Sequence, residues 1–348
     1  MIETGLYPLP HGITLSCRTA GNKGRPVLMF LHGFPEAAFV WDGLLEHFAS
    51  PAHGGFRCIA PNLRGYERSS APAEVAAYRP KHLMQDIAAL IEMECEGEES
   101  TTPSNQAPAV ELALPDRRRD GPRGGKQTTR SVERGGQLTC LIAHDWGGAV
   151  AWNLAASLPG CMKKLAIINS PHPGTFLREL QHSPAQQSAS AYMNFLIRPD
   201  AEALLAEDDF RRMWDLFANM GAVDGPHPWL TDSIKARYRS IWRAGLSGPL
   251  NYYRASPLRP PRPHDPAAAA VDMPHRRLTV SLPTLVVWAL DDIALPPELI
   301  DGLDAYISDL TVKTVPGASH WIVHEQPALV AQLLTDFLHA GPAFDRRE

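Results

Sequence analysis

An aspartate at a sharp strand-to-helix junction is the residue of this sequence best suited to nucleophilic chemistry. Asp145 follows the apolar run Leu138–Ala143 and precedes Gly147 and Gly148, which open a helix-forming segment. A strand, a tight turn and a helix in this order typically expose one side chain above a sheet edge. A carboxylate is deprotonated near neutral pH, so it can attack an electrophilic carbon directly and form an ester. The alternative is that Asp145 only caps the helix, a common role of aspartate.

Two polar groups later in the chain could form a catalytic triad with Asp145. His320 follows the predicted strand Thr311–Val315, and a strand end is a suitable position for a general base. Asp291 and Asp292 follow another apolar run and offer a carboxylate that could orient the imidazole. The chain order of nucleophile, acid and histidine occurs in known triads. The spacing alone leaves both aspartates open as the acid.

The loop after an early apolar run could stabilise a negative charge that develops near Asp145. The run Pro26–Leu31 is followed directly by His-Gly-Phe-Pro. In such an arrangement, one loop amide and the amide after the nucleophile can form an oxyanion hole. We predict the amides of Phe34 and Trp146 as the donors, because Pro35 has no N–H and would only shape the loop.

Short apolar runs alternate along the chain with segments of helical periodicity. Several runs are apolar throughout, as in a parallel sheet that has helices on both faces. The predicted strands are Ile13–Cys17, Pro26–Leu31, Arg57–Ala60, Leu138–Ala143, Leu165–Asn169, Thr284–Leu290 and Thr311–Val315. The predicted helices are Lys81–Met93, Gly147–Leu158, Pro297–Tyr306 and Ala328–His339. This alternation predicts an α/β fold with a mostly parallel, doubly wound sheet.

Two stretches interrupt the alternation. Residues 97–136 are rich in Pro, Gly, Arg and Thr, which predicts a disordered or mobile loop insertion in the core. Residues 172–260 lack strand-like runs and predict a helical cap over the carboxyl ends of the strands, where such sheets bind ligands. The helix-like segments of this cap are Ala185–Ile197, Ala201–Met220 and Leu230–Ala244. The core would then comprise residues 1–171 and 261–348.

The composition of the 348-residue chain narrows the range of partners. Its net charge of -5 and its pI near 6.3 give no reason to expect binding to nucleic acid or to an anionic membrane. The apolar runs are too short to span a bilayer, and the segment Met1–Pro10 does not have the pattern of a signal peptide. The five cysteines lack the spacing of zinc ligands, so we expect no metal site and reduced thiols in a cytoplasmic protein.

Five motifs are distributed over the chain: HGFPEAAFVW, PNLRGYERSS, AHDWGGAVAW, NSPHPG and GASHWIVHEQP. Together they resemble the motifs of α/β-hydrolase-fold epoxide hydrolases and of their haloalkane and fluoroacetate dehalogenase relatives. The resemblance covers nearly the whole chain except residues 97–136. It implies Asp145 as the nucleophile, His320 as the base and Asp292 as the orienting acid, with Asp291 as the less favoured acid.

The leaving group distinguishes an epoxide hydrolase from a dehalogenase. An epoxide oxygen needs a donor such as a tyrosine O–H, whereas a halide needs N–H donors, commonly tryptophan indoles. Two segments of the predicted cap resemble those that carry the tyrosines of epoxide hydrolases. This implies Tyr192 and Tyr253 as the donors, with Tyr252 as the less favoured neighbour. The alternative is that these tyrosines only pack inside the cap.

Two positions differ from the dehalogenase patterns and favour an epoxide. Phe34 cannot help to hold a halide, and haloalkane dehalogenases often have a polar residue there. Trp146 cannot pair with a substrate carboxylate, as the arginine of fluoroacetate dehalogenases does. We therefore expect hydrolysis of a small apolar epoxide by water, without a cofactor and in an unknown oligomeric state. A dehalogenase with the same triad and a catalytically silent binding protein are the alternatives. Further candidates for the pocket wall are His32, Pro35, Tyr252 and Trp321.

Overall fold

The computed structural model describes residues 1–95 and 136–341. The strands in this part of the chain are β1 (Glu3–Pro8), β2 (Thr14–Ala20), β3 (Val27–Leu31), β4 (Arg57–Pro61), β5 (Cys140–His144), β6 (Leu165–Ile168), β7 (Thr284–Ala289) and β8 (Leu310–Val315). They form one sheet in the order β1-β2-β4-β3-β5-β6-β7-β8. The pairs β1–β2 and β2–β4 are antiparallel, and all later pairs are parallel. The predicted mostly parallel sheet is confirmed.

Helices cover both faces of this sheet, which is why its central strands are apolar and buried along their whole length. The described α-helices are α1 (Asp42–Ala49), α2 (Pro80–Cys95), α3 (Trp146–Ser157), α4 (Pro173–His182), α5 (Pro184–Ala189), α6 (Tyr192–Leu196), α7 (Ala201–Asn219), α8 (Asp232–Ala244), α9 (Ser247–Ala255), α10 (Ile322–Glu325) and α11 (Pro327–His339). The doubly wound arrangement expected from the sequence is therefore present.

Alternate residues of each central strand face two separate hydrophobic cores. In β3, Met29 and Leu31 belong to one core together with side chains of α2 and α3. Leu28 and Phe30 belong to the other core together with side chains of α1 and α11. This division follows from the two-residue period of a strand, which directs neighbouring side chains to opposite faces. Packing in both cores therefore holds each central strand in one orientation. This orientation sets the direction of the side chains at the strand end.

Helices α4 to α9 all lie between β6 and β7 and are referred to here as the helical insertion. Trp242 of α8 donates its indole N–H to the carbonyl of Pro35 at 2.8 Å. Tyr252 of α9 donates its hydroxyl to the carbonyl of Arg64 at 2.9 Å. Both acceptors lie in loops after β3 and β4, so the insertion contacts the carboxyl edge of the sheet. The boundaries 172–260 of a cap remain a prediction.

One predicted helix is wrong, a second is divided, and a third, Ala201–Met220, is kinked by non-helical backbone at residues 207–210. Pro297–Tyr306 forms two short 3-10 turns, at Pro297–Ile300 and Leu303–Ala305, instead of an α-helix. Gly302 lies between the turns with a left-handed φ of 77°, which interrupts any regular helix. The predicted segment Ala185–Ile197 is divided into α5 and α6. Apolar spacing indicated a buried face in both regions but could not show these interruptions.

One backbone hydrogen bond joins the two ends of the segment expected to be a mobile insertion. Residues 96–135 lie outside the described part of the chain, so the expectation for 97–136 stays a prediction. Cys95 ends α2, and the N–H of Gly136 donates to its carbonyl oxygen at 3.1 Å. Across residues 1–95 and 136–341, no helix is both long and apolar enough to cross a membrane.

Candidate active site

Asp145 occupies a strained turn between β5 and α3. Its backbone has a φ of 48° and a ψ of -123°, a conformation that residues with side chains rarely adopt. The hydroxyl of Ser170 donates to the carbonyl oxygen of Asp145 at 2.7 Å and helps to hold the turn. The Asp145 side chain makes no capping hydrogen bond to α3. The geometry therefore does not support the alternative in which Asp145 serves only as a helix cap.

The carboxylate of Asp145 faces the loop after β3. Its Oδ1 accepts a hydrogen bond of 2.7 Å from the backbone N–H of Phe34, one of the two predicted oxyanion donors. A Cβ on Gly33 would collide with this carboxylate, so only glycine permits the approach. A Cβ on Gly147 would collide with the backbone carbonyls of Leu31 and His32, so α3 can begin this close only with glycine there. Both glycines are thus required by close packing.

His320 and Asp292 form a buried pair beside Asp145. His320 Nδ1 lies 2.7 Å from Asp292 Oδ2, and His320 Nε2 lies 3.8 Å from Asp145 Oδ2. Asn169 donates its side-chain N–H to Asp292 Oδ2 at 2.9 Å. The other oxygen, Oδ1, accepts from the backbone amides of residues 294 and 295. The structure thus brings Asp292 to the imidazole, whereas the side chain of Asp291 is exposed.

Opposing effects set the protonation of this pair. Burial lowers the pKa of His320, but the charge and the hydrogen bond of Asp292, together with the charge of Asp145, raise it to about 9. Burial raises the pKa of Asp292, but the charge of His320 and hydrogen bonds from His320 and Asn169 hold that pKa below its usual value. Asp292 therefore stays ionised at neutral pH and favours the protonated imidazole.

Two tyrosines of the helical insertion approach Asp145 from α6 and α9. The ring centroids of Tyr192 and Tyr253 lie 6.2 Å apart, and the Tyr253 ring packs edge-on against Phe34 and Trp146. Burial is the main cause that raises the pKa of both tyrosines, and the charge of Asp145 adds to it. Both hydroxyls therefore remain protonated and can donate. Tyr252 already donates its hydroxyl to a backbone carbonyl, which favours Tyr253 over its neighbour.

Asp145 and both tyrosines line a single mostly apolar cavity of about 180 Å³. Tyr252 lines it too, as expected, but the other three pocket candidates do not. Both ring nitrogens of His32 face backbone groups, and burial lowers its pKa to about 4. Pro35 accepts a hydrogen bond from α8, and Trp321 packs against aromatic rings of the insertion. These three residues support the surrounding loops instead of the cavity wall.

Comparison with known proteins identifies the family of this chain. The sequence profile described as "Alpha/beta hydrolase family" matches residues 28–333. The AB hydrolase superfamily protein YfhM of Bacillus subtilis (strain 168) is 30% identical over 331 residues, which cover 94% of this chain and 95% of that protein. The chain belongs to the alpha/beta hydrolase family.

Its relatives within this family include epoxide hydrolases. Epoxide hydrolase 4 of Mus musculus is 27% identical over 332 residues, which cover 94% of this chain and 77% of that protein. A solved structure described among novel epoxide hydrolases from metagenomes of hot environments has a TM-score of 0.75 and 32% identity, and the alignment covers 98% of this chain and 100% of that one. This alpha/beta hydrolase therefore resembles epoxide hydrolases over nearly its whole length.

A buried carboxylate of this alpha/beta hydrolase was not singled out by sequence reasoning. Glu36 follows the His-Gly-Phe-Pro loop and is fully buried. Its Oε1 accepts from the hydroxyl of Tyr238 at 2.8 Å and also contacts His324 Nε2. Its Oε2 lies 3.4 Å from His144 Nδ1, and His144 Nε2 lies 2.9 Å from the carbonyl of His320. This network joins the loop after β3, the helical insertion and the backbone of the candidate base.

The ionisation of Glu36 follows from these neighbours. Burial raises its pKa, but the charge of His324 and hydrogen bonds from both histidines reverse the effect and hold the pKa far below its usual value. A sequence signal was present, because a charged residue at 36 interrupts a mostly apolar stretch. Its partners lie 202 and 288 residues away, so local patterns could not identify them.

Proposed function

We propose that this alpha/beta hydrolase opens epoxides with water to give vicinal diols, through a covalent ester on Asp145. The observation that carries the proposal is the shared cavity, in which the Asp145 carboxylate and the two protonated tyrosines, Tyr192 and Tyr253, line one apolar space. An epoxide needs both a nucleophile at carbon and a donor at oxygen. The epoxide hydrolases among its relatives support the same substrate class.

In the first step, Asp145 attacks one ring carbon and the carbon–oxygen bond of the ring breaks. The electron pair of that bond moves to the epoxide oxygen, which accepts a hydrogen bond or a proton from Tyr192 or Tyr253. The mostly apolar wall strengthens these interactions, because charges and dipoles are less screened there than in water. The product of this step is a hydroxyalkyl ester on Asp145.

In the second step, water hydrolyses the ester. His320 accepts a proton from a water molecule, and the resulting hydroxide attacks the ester carbonyl carbon of Asp145. The tetrahedral oxyanion accepts hydrogen bonds from the amides of Phe34 and Trp146. Collapse breaks the bond between the carbonyl carbon and the ester oxygen, and the departing oxygen takes a proton from the His320 imidazolium to complete the diol. The regenerated carboxyl group carries one water-derived oxygen, and its proton returns to the tyrosine that donated in the first step. Asp292 stabilises the imidazolium that forms in this step.

A single turnover in heavy-oxygen water tests the covalent route. With enzyme in excess over a small epoxide, the diol should contain no label, because its new oxygen comes from Asp145. Mass spectrometry of the peptide that contains Asp145 should then find one heavy oxygen. Label in the diol after the first turnover would show direct attack by water and would exclude the ester.

Two matched variants define the role of the carboxylate. Asp145→Asn should lower turnover by about 10⁴-fold or more, because an amide is a poor nucleophile. Asp291→Asn removes an exposed carboxylate near the same site and should leave turnover within about threefold. Halide release from haloalkanes without diol formation from epoxides would favour a dehalogenase. Absence of any reaction with epoxides, haloalkanes and esters would favour a binding protein.

A further inference from the structure

One wall of the cavity follows a single face of α3. Trp146, Ala149, Val150 and Asn153 line the cavity together with Asp145, which directly precedes the helix. Their spacing of three and four residues places these side chains on the same side of an α-helix. Eight residues of helix rise by about 12 Å, so the wall extends well beyond the reacting carboxylate. The cavity can therefore contact a substrate far from its epoxide ring.

Asn153 places a polar amide in this mostly apolar wall of α3, where Trp146 also carries an indole N–H. Its side-chain N–H donates to the carbonyl of Ala149 at 2.7 Å. This bond turns the amide along the helix and leaves Oδ1 as an acceptor with no partner among the described residues. Asparagine is a poorer helix former than the apolar residues around it, so propensity does not explain its presence in α3.

Most other polar groups of the cavity already have a hydrogen-bond partner. The Tyr78 hydroxyl donates to the carbonyl of Pro72, and the Ser170 hydroxyl donates to that of Asp145. Ser256 Oγ accepts from the amide of Leu258. The tyrosine pair and Asp145 form the reacting end. Among the described residues of α3 that line the cavity, only Asn153 has a side-chain acceptor without a partner.

We propose that Asn153 is a specificity residue and that the preferred epoxides are slender chains with a hydroxyl or N–H donor at the end remote from the ring. The apolar wall would hold the chain, and Asn153 Oδ1 would accept from the distal donor. A substrate with a methyl end would leave this carbonyl without a partner and lose that interaction. The inference rests on the proposed opening of epoxides by Asp145.

The test uses terminal epoxides of increasing chain length, each as a pair that ends in methyl or in hydroxymethyl. The wild-type ratio of kcat/KM for hydroxymethyl over methyl should rise at the chain length that reaches Asn153. In Asn153→Leu this ratio should fall about 3- to 10-fold at that length and stay unchanged for shorter chains. Leu258→Met, a volume-conserving change in the same cavity, should keep the wild-type ratio.

Two further measurements make the result independent of folding and of turnover. Asn153→Asp should shift the preference from the hydroxymethyl end to an aminomethyl end, because a carboxylate pairs with an ammonium group. Calorimetry with the corresponding diols should find the same preference in binding to the wild type and its loss in Asn153→Leu. Equal ratios or equal diol affinities in wild type and variants would overturn the inference. If no epoxide is opened, the proposed function fails, and the diol affinities still decide the role of Asn153.

Discussion

The two oxygens of the Asp145 carboxylate have different surroundings. Oδ1 accepts from the Phe34 amide, whereas Oδ2 lies 3.8 Å from His320 Nε2. In the proposed reaction, Oδ1 becomes the ester carbonyl oxygen in the oxyanion hole, and Oδ2 attacks the epoxide. Formation of the ester removes the negative charge that faces His320. This charge is one of the causes that raise the histidine pKa.

We therefore expect the pKa of His320 to fall when Asp145 is neutralised. In the free enzyme, the imidazole should titrate near 9 by NMR. Below that pH it is protonated and cannot accept a proton from water, and above it the neutral base is present. In Asp145→Asn, a neutral mimic of the ester, the midpoint should move to lower pH. The fraction of neutral His320 at a given pH would thus rise once the ester has formed.

The pH dependence of the single-turnover reaction gives an independent measurement of the His320 pKa in the ester. The decay of the ester should decline on the acid side with a midpoint below that of the free histidine. Asp291→Asn serves as the charge control, since its exposed carboxylate should leave the NMR midpoint in place. A midpoint of Asp145→Asn equal to that of the wild type would contradict the expected coupling between Asp145 and His320.

At the scale of elements, helix α8 contacts the loop after β3 through two side chains one turn apart. Tyr238 donates to Glu36 Oε1 and Trp242 donates to the carbonyl of Pro35, each at 2.8 Å. Both acceptors belong to the two residues that follow Phe34 in the chain. The position of the loop therefore depends on the helical insertion as well as on β3.

We expect Tyr238→Phe to destabilise the protein because it removes a hydrogen bond from a buried charged acceptor. The free energy of unfolding should fall by about 1.5–3 kcal/mol in urea titrations near pH 7. Ser240→Ala changes an exposed residue of the same helix and should stay within about 0.5 kcal/mol of the wild type. Equal stability of Tyr238→Phe and Ser240→Ala would mean that the contact with Glu36 contributes little.

The predictability of the elements depended on how each one is buried. The central strands were predicted to within about two residues, because both of their faces are covered and their apolar runs are continuous. β1 was not predicted, because it pairs only with β2 at the sheet edge and most of its residues are exposed. Long-range contacts such as that between Asn169 and Asp292 also escaped prediction, since 123 residues separate the partners.

At the scale of the whole molecule, the chain divides the sheet into two consecutive halves. Residues 1–95 provide β1 to β4, and residues from 136 onward provide β5 to β8. The sheet order places these halves side by side, with β3 against β5 as the only strand ladder between them among the described strands. Phe34 belongs to the first half, whereas Asp145, Asp292 and His320 belong to the second.

The molecule can therefore be divided between β4 and β5 to give a split enzyme. Fragments 1–95 and 136–348 should each lack a complete site, and the β3–β5 ladder should rejoin them when they are expressed together or brought close by fused partners. Recovery of diol formation on mixing would report reassembly, because Phe34, the proposed oxyanion donor, and Asp145, the proposed nucleophile, belong to different fragments. An active second fragment alone would show that the Phe34 amide is dispensable.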